Sequence, residues 1–429
     1  MEVVKFSTSL REDARKRIEQ LREADIVVGI PAYFSGDAIE HVLRTVVAGL
    51  KRYYGKHRSV VVIFDGGSTD DTRETAQAIS VDDFNIELIV SIYRGIPGKG
   101  SSIRAVFETA HFLKARAAAV FDSDLKSITP EWIKNILDPI FNGYDFVAPD
   151  YYRYKFDGTI TNTIAYNLTR ALYGVKVRQP IGGDFGISDG LAKHYLDQDV
   201  WGTDVAKFGI DIWMTINAII GKFKICQARL GAKIHGEKDP TADLSPMFRQ
   251  VVGTIFKLME EHEDYWTTIT GSKEVTTFGE YLDTAIKPFE LNQDALIEYF
   301  LLGNYNFNGV WEKIVESDDL YIIRELVKRG TKNNFILPQE SWVRIVYRYA
   351  QAVHMTPRQK FKLIDTLIPL YYARVASLVN ELQDKSVEEA ERYFDEQARV
   401  FEKMKGYLVD IWGKPPQQDG PIQNKGINA

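Results

Sequence analysis

The stretch VVVIFDGGSTDDT, residues 60–72, opens on five consecutive apolar residues and stops at Asp65, where glycines, hydroxyls and acids take over. An uninterrupted apolar run rich in branched side chains reads as a strand buried on both faces. The two glycines permit a tight turn, and Ser68 or Thr69 can cap a helix over residues 69–79. Working outward, the same pattern repeats. IVVGIP (26–31) precedes helical periodicity over 38–54, residues 87–92 precede a helix over 101–115, and AAAVF (117–121) is a fourth strand. Strands alternating with helices predict an α/β fold: a mostly parallel, Rossmann-like sheet covered by helices on both faces.

Farther out, residues 1–24 read as a charged leader helix and 25–240 as the α/β domain. Residues 208–220 suggest an apolar helix and 223–230 a last strand. From 241 to 414 the alternation gives way to an all-helical domain whose aromatics serve as core, and 415–429, rich in Pro, Gly, Gln and Asn, form a flexible tail. The chain of 429 residues carries 45% hydrophobic and 26% charged residues, enough to build a large core. A formal charge of −6 argues against a nucleic-acid partner. The single Cys226 excludes an internal disulfide. No apolar run suits a membrane span and no signal-peptide core follows Met1, so a soluble, cytoplasmic protein is expected.

Ligands of parallel sheets bind beyond the carboxyl ends of the strands, so the residues following each strand are the candidates. Asp122-Ser123-Asp124 follows the fourth strand. In extended backbone these carboxylates share one side, and oxygen donors suit a hard divalent cation. Asp65 and Ser68 follow the second strand. Lys99, between Gly98 and Gly100, offers a point charge at a helix start, which suits a phosphate. Gly182, Gly183 and Asp184 can approach a sugar closely. His235 follows the last strand and is a possible nitrogen ligand. Asp211 stands at the start of an apolar helix. Taken singly, each also reads as a capped turn, a solvated loop or a favourable helix-dipole charge. Neither a dinucleotide fingerprint nor a P-loop is present, which disfavours an ordinary oxidoreductase.

The succession VVGIPAYF, FDGGSTDDT, GKG and FDSD resembles the GT-A nucleotide-sugar glycosyltransferases. RGIPGKGSS, FDSDL, QPIGGDFG, FGIDIWMT and AKIHG, in that order, narrow the resemblance to the retaining mannosylglycerate synthase and glucosyl-3-phosphoglycerate synthase group. The resemblance implies that Pro31, Ala32, Asp65, Ser68 and Lys99 contact the nucleoside diphosphate. It implies that Asp124 and His235 hold Mg²⁺ or Mn²⁺, with Asp122 near ribose, sugar or metal-bound water. Gly182, Gly183 and Asp184 would meet the donor sugar, and Asp211 would lie beside the anomeric carbon. Arg153 and Thr161 fall on positions that hold glycerate. Phosphate-using relatives carry Gly-Arg where this chain has Gly158-Thr159, which favours glycerate over 3-phosphoglycerate.

The expected reaction is a metal-dependent, retaining transfer of glucose or mannose from a nucleoside-diphosphate hexose to glycerate or a 3-phosphoglycerate-like acceptor. Lys99, Asp122 and Asp211 are the expected catalytic residues, in a homodimer or higher homo-oligomer. Two rivals differ in kind: an inverting GT-A transferase acting on a lipid phosphate or polysaccharide, and a non-catalytic nucleotide-sugar sensor.

Overall fold

The computed structural model describes residues 6–81, 83–234, 245–280, 286 and 288–414. His235 and the expected tail, 415–429, lie outside the described residues. The chain divides into two compact units. The first holds the described residues through Leu291 together with Asp384–Glu402, and the second holds Asn292–Gln383 and the described residues from Lys403. Against the expected boundary at 240/241, the division falls about fifty residues later, and one late helical segment returns to the first unit.

The first unit is built on an eight-stranded sheet: β1 (Ile26–Ala32), β2 (Ser59–Asp65), β3 (Ile86–Ile92), β4 (Ala117–Val120), β5 (Phe146–Tyr152), β6 (Phe185–Ser188), β7 (Ile225–Ala232) and β8 (Thr276–Phe278). Their spatial order is β3-β2-β1-β4-β6-β5-β7-β8. All neighbours run parallel except β6, which is antiparallel to both β4 and β5. Three strands depart from the sequence reading. β5 lacks the uniformly aliphatic run that marks the others, β6 is only four residues long, and β8 is an edge strand inside the region expected to be helical.

Ten helices accompany the sheet among the described residues before Leu291: α1 (Glu12–Leu21), α2 (Ile39–Tyr54), α3 (Thr72–Gln77), α4 (Lys99–Phe112), α5 (Pro130–Phe141), α6 (Tyr166–Tyr173), α7 (Asp189–Leu196), α8 (Ile210–Ile220), α9 (Ser245–Glu261) and α10 (Glu263–Trp266). The returning segment adds one more, given below. Helices α2 and α5 bury Val42, Val46, Ile133 and Leu137 with Val28 and Ile30 of β1 on one face. Helix α4 covers the other. A Cβ on Gly29 would stand 2.2 Å from Val106 Cγ2, so only glycine lets α4 lie so close to β1. Helix α3 begins at Thr72, later than expected. Its N-cap position is Asp71, whose side chain makes no capping bond, while Asp70 accepts from the Thr72 hydroxyl and from the Thr72 N–H at 3.3 Å. A π-helical turn, Thr161–Ala165, leads into α6.

The second unit is helical: α11 (Gln293–Ile314), α12 (Ser317–Arg329), α13 (Gln339–Met355), α14 (Lys360–Leu382) and, after α15 (Val387–Lys403), α16 (Lys405–Ile411). Its aromatic residues are largely core: Trp311 and Trp342 are buried, and the Trp311 indole donates to Thr366 O at 2.8 Å. Among the described residues no helix is long and apolar enough to cross a membrane.

The start of α4 is clamped against the segment before α8. The Gly100 N–H donates to Lys207 O at 3.2 Å, and a Cβ on Gly100 would stand 1.8 Å from Val205 O. Backbone cannot yield as a side-chain tip can, so Gly100→Ala forces the two segments apart. Overpacking of this kind costs about 1–3 kcal/mol. Urea unfolding of Gly100→Ala should show a loss in that range.

Candidate functional site

The carboxyl edge of the sheet opens into a cavity of about 720 Å³. The parallel strands deliver their last residues there: Pro31 and Ala32 from β1, Asp122 and Asp124 after β4, Arg153 after β5 and Lys233 after β7. Because β6 runs the other way, it presents its beginning to the same edge, which is how Gly182 and Gly183 reach the cavity. Helix α4 contributes Lys99, and α8 contributes Asp211 from its first turn.

Two ammonium groups and three carboxylates interlock at its floor. Lys99 Nζ donates to Asp122 Oδ1 at 2.7 Å and to Asp211 Oδ2 at 3.3 Å. Lys233 Nζ donates to Asp122 Oδ2 at 2.7 Å, Asp184 Oδ2 at 2.9 Å and Gly182 O at 2.7 Å. Asp184 accepts in addition from the Asp122 N–H at 2.8 Å and from the Tyr151 hydroxyl. Gly183 must be glycine. Its φ is +91°, and a Cβ there would stand 2.2 Å from Asp122 Oδ2.

Burial and charge compete in this network. Burial would raise Asp122, but the ammoniums of Lys233 and Lys99 hold it well below the usual carboxylate range. Asp184 and Asp211 end above that range, because burial outweighs the opposing pull of Lys233 on the first and Lys99 on the second. Both lysines are held protonated: burial would lower them, and their carboxylate partners more than offset it. Asp211 is 7% exposed, and its Oδ1 has no hydrogen-bond partner among the described residues. A buried acceptor oxygen at a cavity wall is a vacancy that a ligand hydroxyl satisfies.

The structure brings most of the expected residues together. Pro31, Ala32, Lys99, Asp122, Asp124, Arg153, Thr159, Thr161, Gly182, Gly183 and Asp211 line the cavity. Three do not. The Asp65 carboxylate is fully buried and taken up by its own turn, accepting from Gly67 N–H at 2.7 Å, Ser68 N–H at 2.8 Å and the Ser68 hydroxyl. Ser68 Oγ in turn accepts from the Phe34 N–H at 2.9 Å. Asp65 and Ser68 thus shape the rim where Tyr33 and Phe34 stand, instead of lining the cavity. Asp184 lies beneath the floor, where it orients Lys233 and Tyr151. Asp122 departs from the expected pairing with Asp124. β4 ends at Val120, so the extended alternation that would aim both carboxylates at one cation does not continue, and Asp122 faces lysines.

Among the described residues no three His, Cys, Asp or Glu side chains gather as a metal cluster. Asp124 brings a carboxylate to the cavity wall, as does Asp157, which pairs with Arg153. One hard oxygen donor beside an open cavity suits a cation that takes its remaining ligands from phosphate and water. Lys233 and Tyr151 were missed in the sequence. Lys233 stands directly after β7, inside the AKIHG motif, so the strand-end rule that singled out His235 applies to it equally.

On the wall that follows β5, Arg153 Nη1 pairs with Asp157 Oδ2 at 3.2 Å, and Gly158, at φ +66°, leaves room for the guanidinium. Lys155 does not line the cavity; its ammonium donates to Lys385 O at 2.9 Å.

Residues 27–185 match the family described as Glycosyl transferase family 2. The chain is 25% identical over 232 residues to the glucosyl-3-phosphoglycerate synthase of Mycolicibacterium smegmatis, covering 50% of this chain and 73% of that one. It is 24% identical over 251 residues to the enzyme of the same name from Mycolicibacterium paratuberculosis, covering 54% and 71%. A solved structure of glucosyl-3-phosphoglycerate synthase from Mycobacterium tuberculosis with Mg²⁺ and uridine diphosphate aligns at a TM-score of 0.43 and 23% identity, covering 56% and 82%.

Lys233→Met removes the counter-charge shared by the half-buried Asp122 and the buried Asp184. Breaking a buried pair on one side costs about 3–5 kcal/mol. Without Lys233 the depressed folded-state pKa of Asp122 moves back up toward the usual carboxylate range, and that of Asp184, already raised, rises further. The deficit relative to wild type is therefore full at neutral pH and shrinks as acidification protonates the stranded carboxylates. Denaturant unfolding of both proteins across that range should show the gap narrowing as pH falls.

Proposed function

We propose, from the premise that residues 27–185 form a glycosyl transferase family 2 domain and the chain is a nucleotide-sugar-dependent glycosyltransferase, that it transfers a hexose to glycerate or a similar small hydroxy acid with retention of anomeric configuration. One observation carries the reading: Asp211, buried beside Lys99, keeps an unpartnered oxygen at the cavity wall. That oxygen suits a sugar or acceptor hydroxyl at the reacting carbon. The names of the curated relatives support glucose as the hexose and a glyceric acid as the acceptor class.

The demanding step is departure of the nucleoside diphosphate as positive charge grows at the anomeric carbon. Lys99 and Lys233, fixed by their carboxylates, supply a preorganised positive field that needs no rearrangement during reaction. Asp211 stabilises the electron-poor carbon or orients the acceptor. In same-face attack, the bond from the acceptor oxygen to carbon forms as the bond to the departing phosphate oxygen breaks. The acceptor proton passes to that phosphate oxygen. Mg²⁺ or Mn²⁺, held by Asp124 and, by resemblance, His235, would add Lewis-acid neutralisation of the leaving group.

Arg153, which lines the cavity beside Asp157, would take the acceptor carboxylate through charge-assisted hydrogen bonds. Thr159 lines the same wall and carries no charge, and Lys155 is directed elsewhere. These features support glycerate. The relatives' names support 3-phosphoglycerate as the second reading.

A matrix of uridine, guanosine and adenosine diphosphate hexoses against both acceptors, with Mg²⁺ or Mn²⁺ and with chelator, tests the proposal. Mass spectrometry should find metal-dependent hexosyl glycerate, and NMR should find the donor's anomeric configuration preserved. An inverted product, or no transfer from any donor, refutes it. Glycerate should exceed 3-phosphoglycerate in kcat/KM, and Thr159→Arg should shift the ratio by about tenfold toward the phosphorylated acceptor. A wild type strongly preferring 3-phosphoglycerate overturns the acceptor assignment.

A further inference from the structure

Two lysines from different segments meet at the loop that opens α4, and they differ in their partners. Lys99 belongs to the loop itself. Lys207 comes from the segment before α8 and lies on top of it: a Cβ on Gly98 would stand 2.7 Å from Lys207 Cα and 2.9 Å from its Cγ. The Lys207 backbone is fixed at both ends. Its N–H donates to Asp204 O at 3.0 Å, and its carbonyl accepts from Gly100 N–H at 3.2 Å. Gly98 and Gly100 therefore fit this loop to the 205–207 segment, and Gly100's N–H is already engaged.

Lys207 lines the cavity and is half-buried. The other lining cations are committed: Lys99 to Asp122 and Asp211, Lys233 to Asp122, and Arg153 to Asp157. Among the described residues the Lys207 ammonium has neither hydrogen bond nor ion pair. A fixed stem carrying an unpaired ammonium at the wall of a cavity calls for an anionic ligand, and a compact ammonium serves phosphate as a point charge. We propose that Lys207 is a substrate-binding residue that pairs with a phosphoryl oxyanion, deepening the glycosyl-transfer reading on which it rests. The oxyanion comes either from the donor's diphosphate or from a phosphate on the acceptor. Lys99, which the glycine-flanked motif offers for a phosphate contact, lines the same cavity while pairing with Asp122 and Asp211.

The test compares Lys207→Met, which keeps the stem and loses the charge, with Lys207→Arg, which keeps the charge. Calorimetric titration with Mg²⁺ present uses whichever of uridine, guanosine or adenosine diphosphate binds the wild type, the matching nucleoside, and 3-phosphoglycerate against glycerate. Lys207→Met should weaken a phosphorylated ligand by about tenfold or more and leave its unphosphorylated counterpart unchanged, while Lys207→Arg recovers most of the loss. Weakening of the nucleoside diphosphate assigns the contact to the donor, and weakening of 3-phosphoglycerate alone assigns it to the acceptor. Affinities within about twofold of wild type for every phosphorylated ligand overturn the proposal, as does equal weakening of phosphorylated and unphosphorylated partners or a wild type that binds none of them. A wild type that binds diphosphate through Lys207 but transfers no sugar refutes the glycosyl-transfer reading alone. Transfer that proceeds in wild type with Lys207→Met binding unchanged refutes the lysine assignment alone.

Discussion

The two ion pairs converging on Asp122 are the constraint around which the cavity is organised. A carboxylate half-buried just after β4 is costly unless both oxygens are met, and Lys99 and Lys233 meet one oxygen each, both at 2.7 Å. Each lysine then needs further partners. Lys99 reaches Asp211, and Lys233 reaches Asp184 and Gly182 O. This arrangement ties α4, β4, β6, β7 and α8 at one point, so floor geometry and sheet packing depend on each other. Such a network contributes positional definition more than net stability, since desolvating five charges consumes much of their mutual attraction.

Strand direction explains why these groups meet. Parallel strands send their carboxyl ends, and hence Asp122, Arg153 and Lys233, to one edge. The single antiparallel strand, β6, lets Gly182, Gly183 and Asp184 approach that edge from the opposite chain direction. Gly183 is the closest point: any side chain there would occupy the space of the Asp122 carboxylate. Asp211 differs from the others because one oxygen stays unmatched, so the protein retains a buried acceptor at the cavity wall.

Around that floor the wall is divided chemically. Tyr33 and Phe34 stand at the rim, held by the Asp65–Ser68 turn through Ser68 and the Phe34 N–H. Arg153, Gly158, Thr159 and Thr161 form another side, next to the π-helical turn 161–165. π-helical turns interrupt regular hydrogen bonding and recur at functional sites. The interlocked charges, the aromatic rim and the polar wall all border one cavity.

By itself the sequence determined the α/β class and which strand ends carry chemistry. Apolar runs such as VVVIF report burial on both faces, and glycines and acids directly after them report the turn at the ligand-binding edge. Asp122, Asp124, Lys99, Gly182, Gly183 and Asp211 were legible on those grounds. What each side chain faces was not, because partners such as Lys99 and Asp211 are 112 residues apart and meet only through packing. Spacing within Asp122-Ser123-Asp124 suggested a shared cation, but the strand stops at Val120, and two lysines from α4 and the end of β7 claim Asp122. Asp65 looked available for a ligand until its turn closed over it. Local pattern encodes backbone state, because that depends on near neighbours. Only the tertiary structure decides which buried charge neutralises which, since that depends on groups brought together from distant parts of the chain.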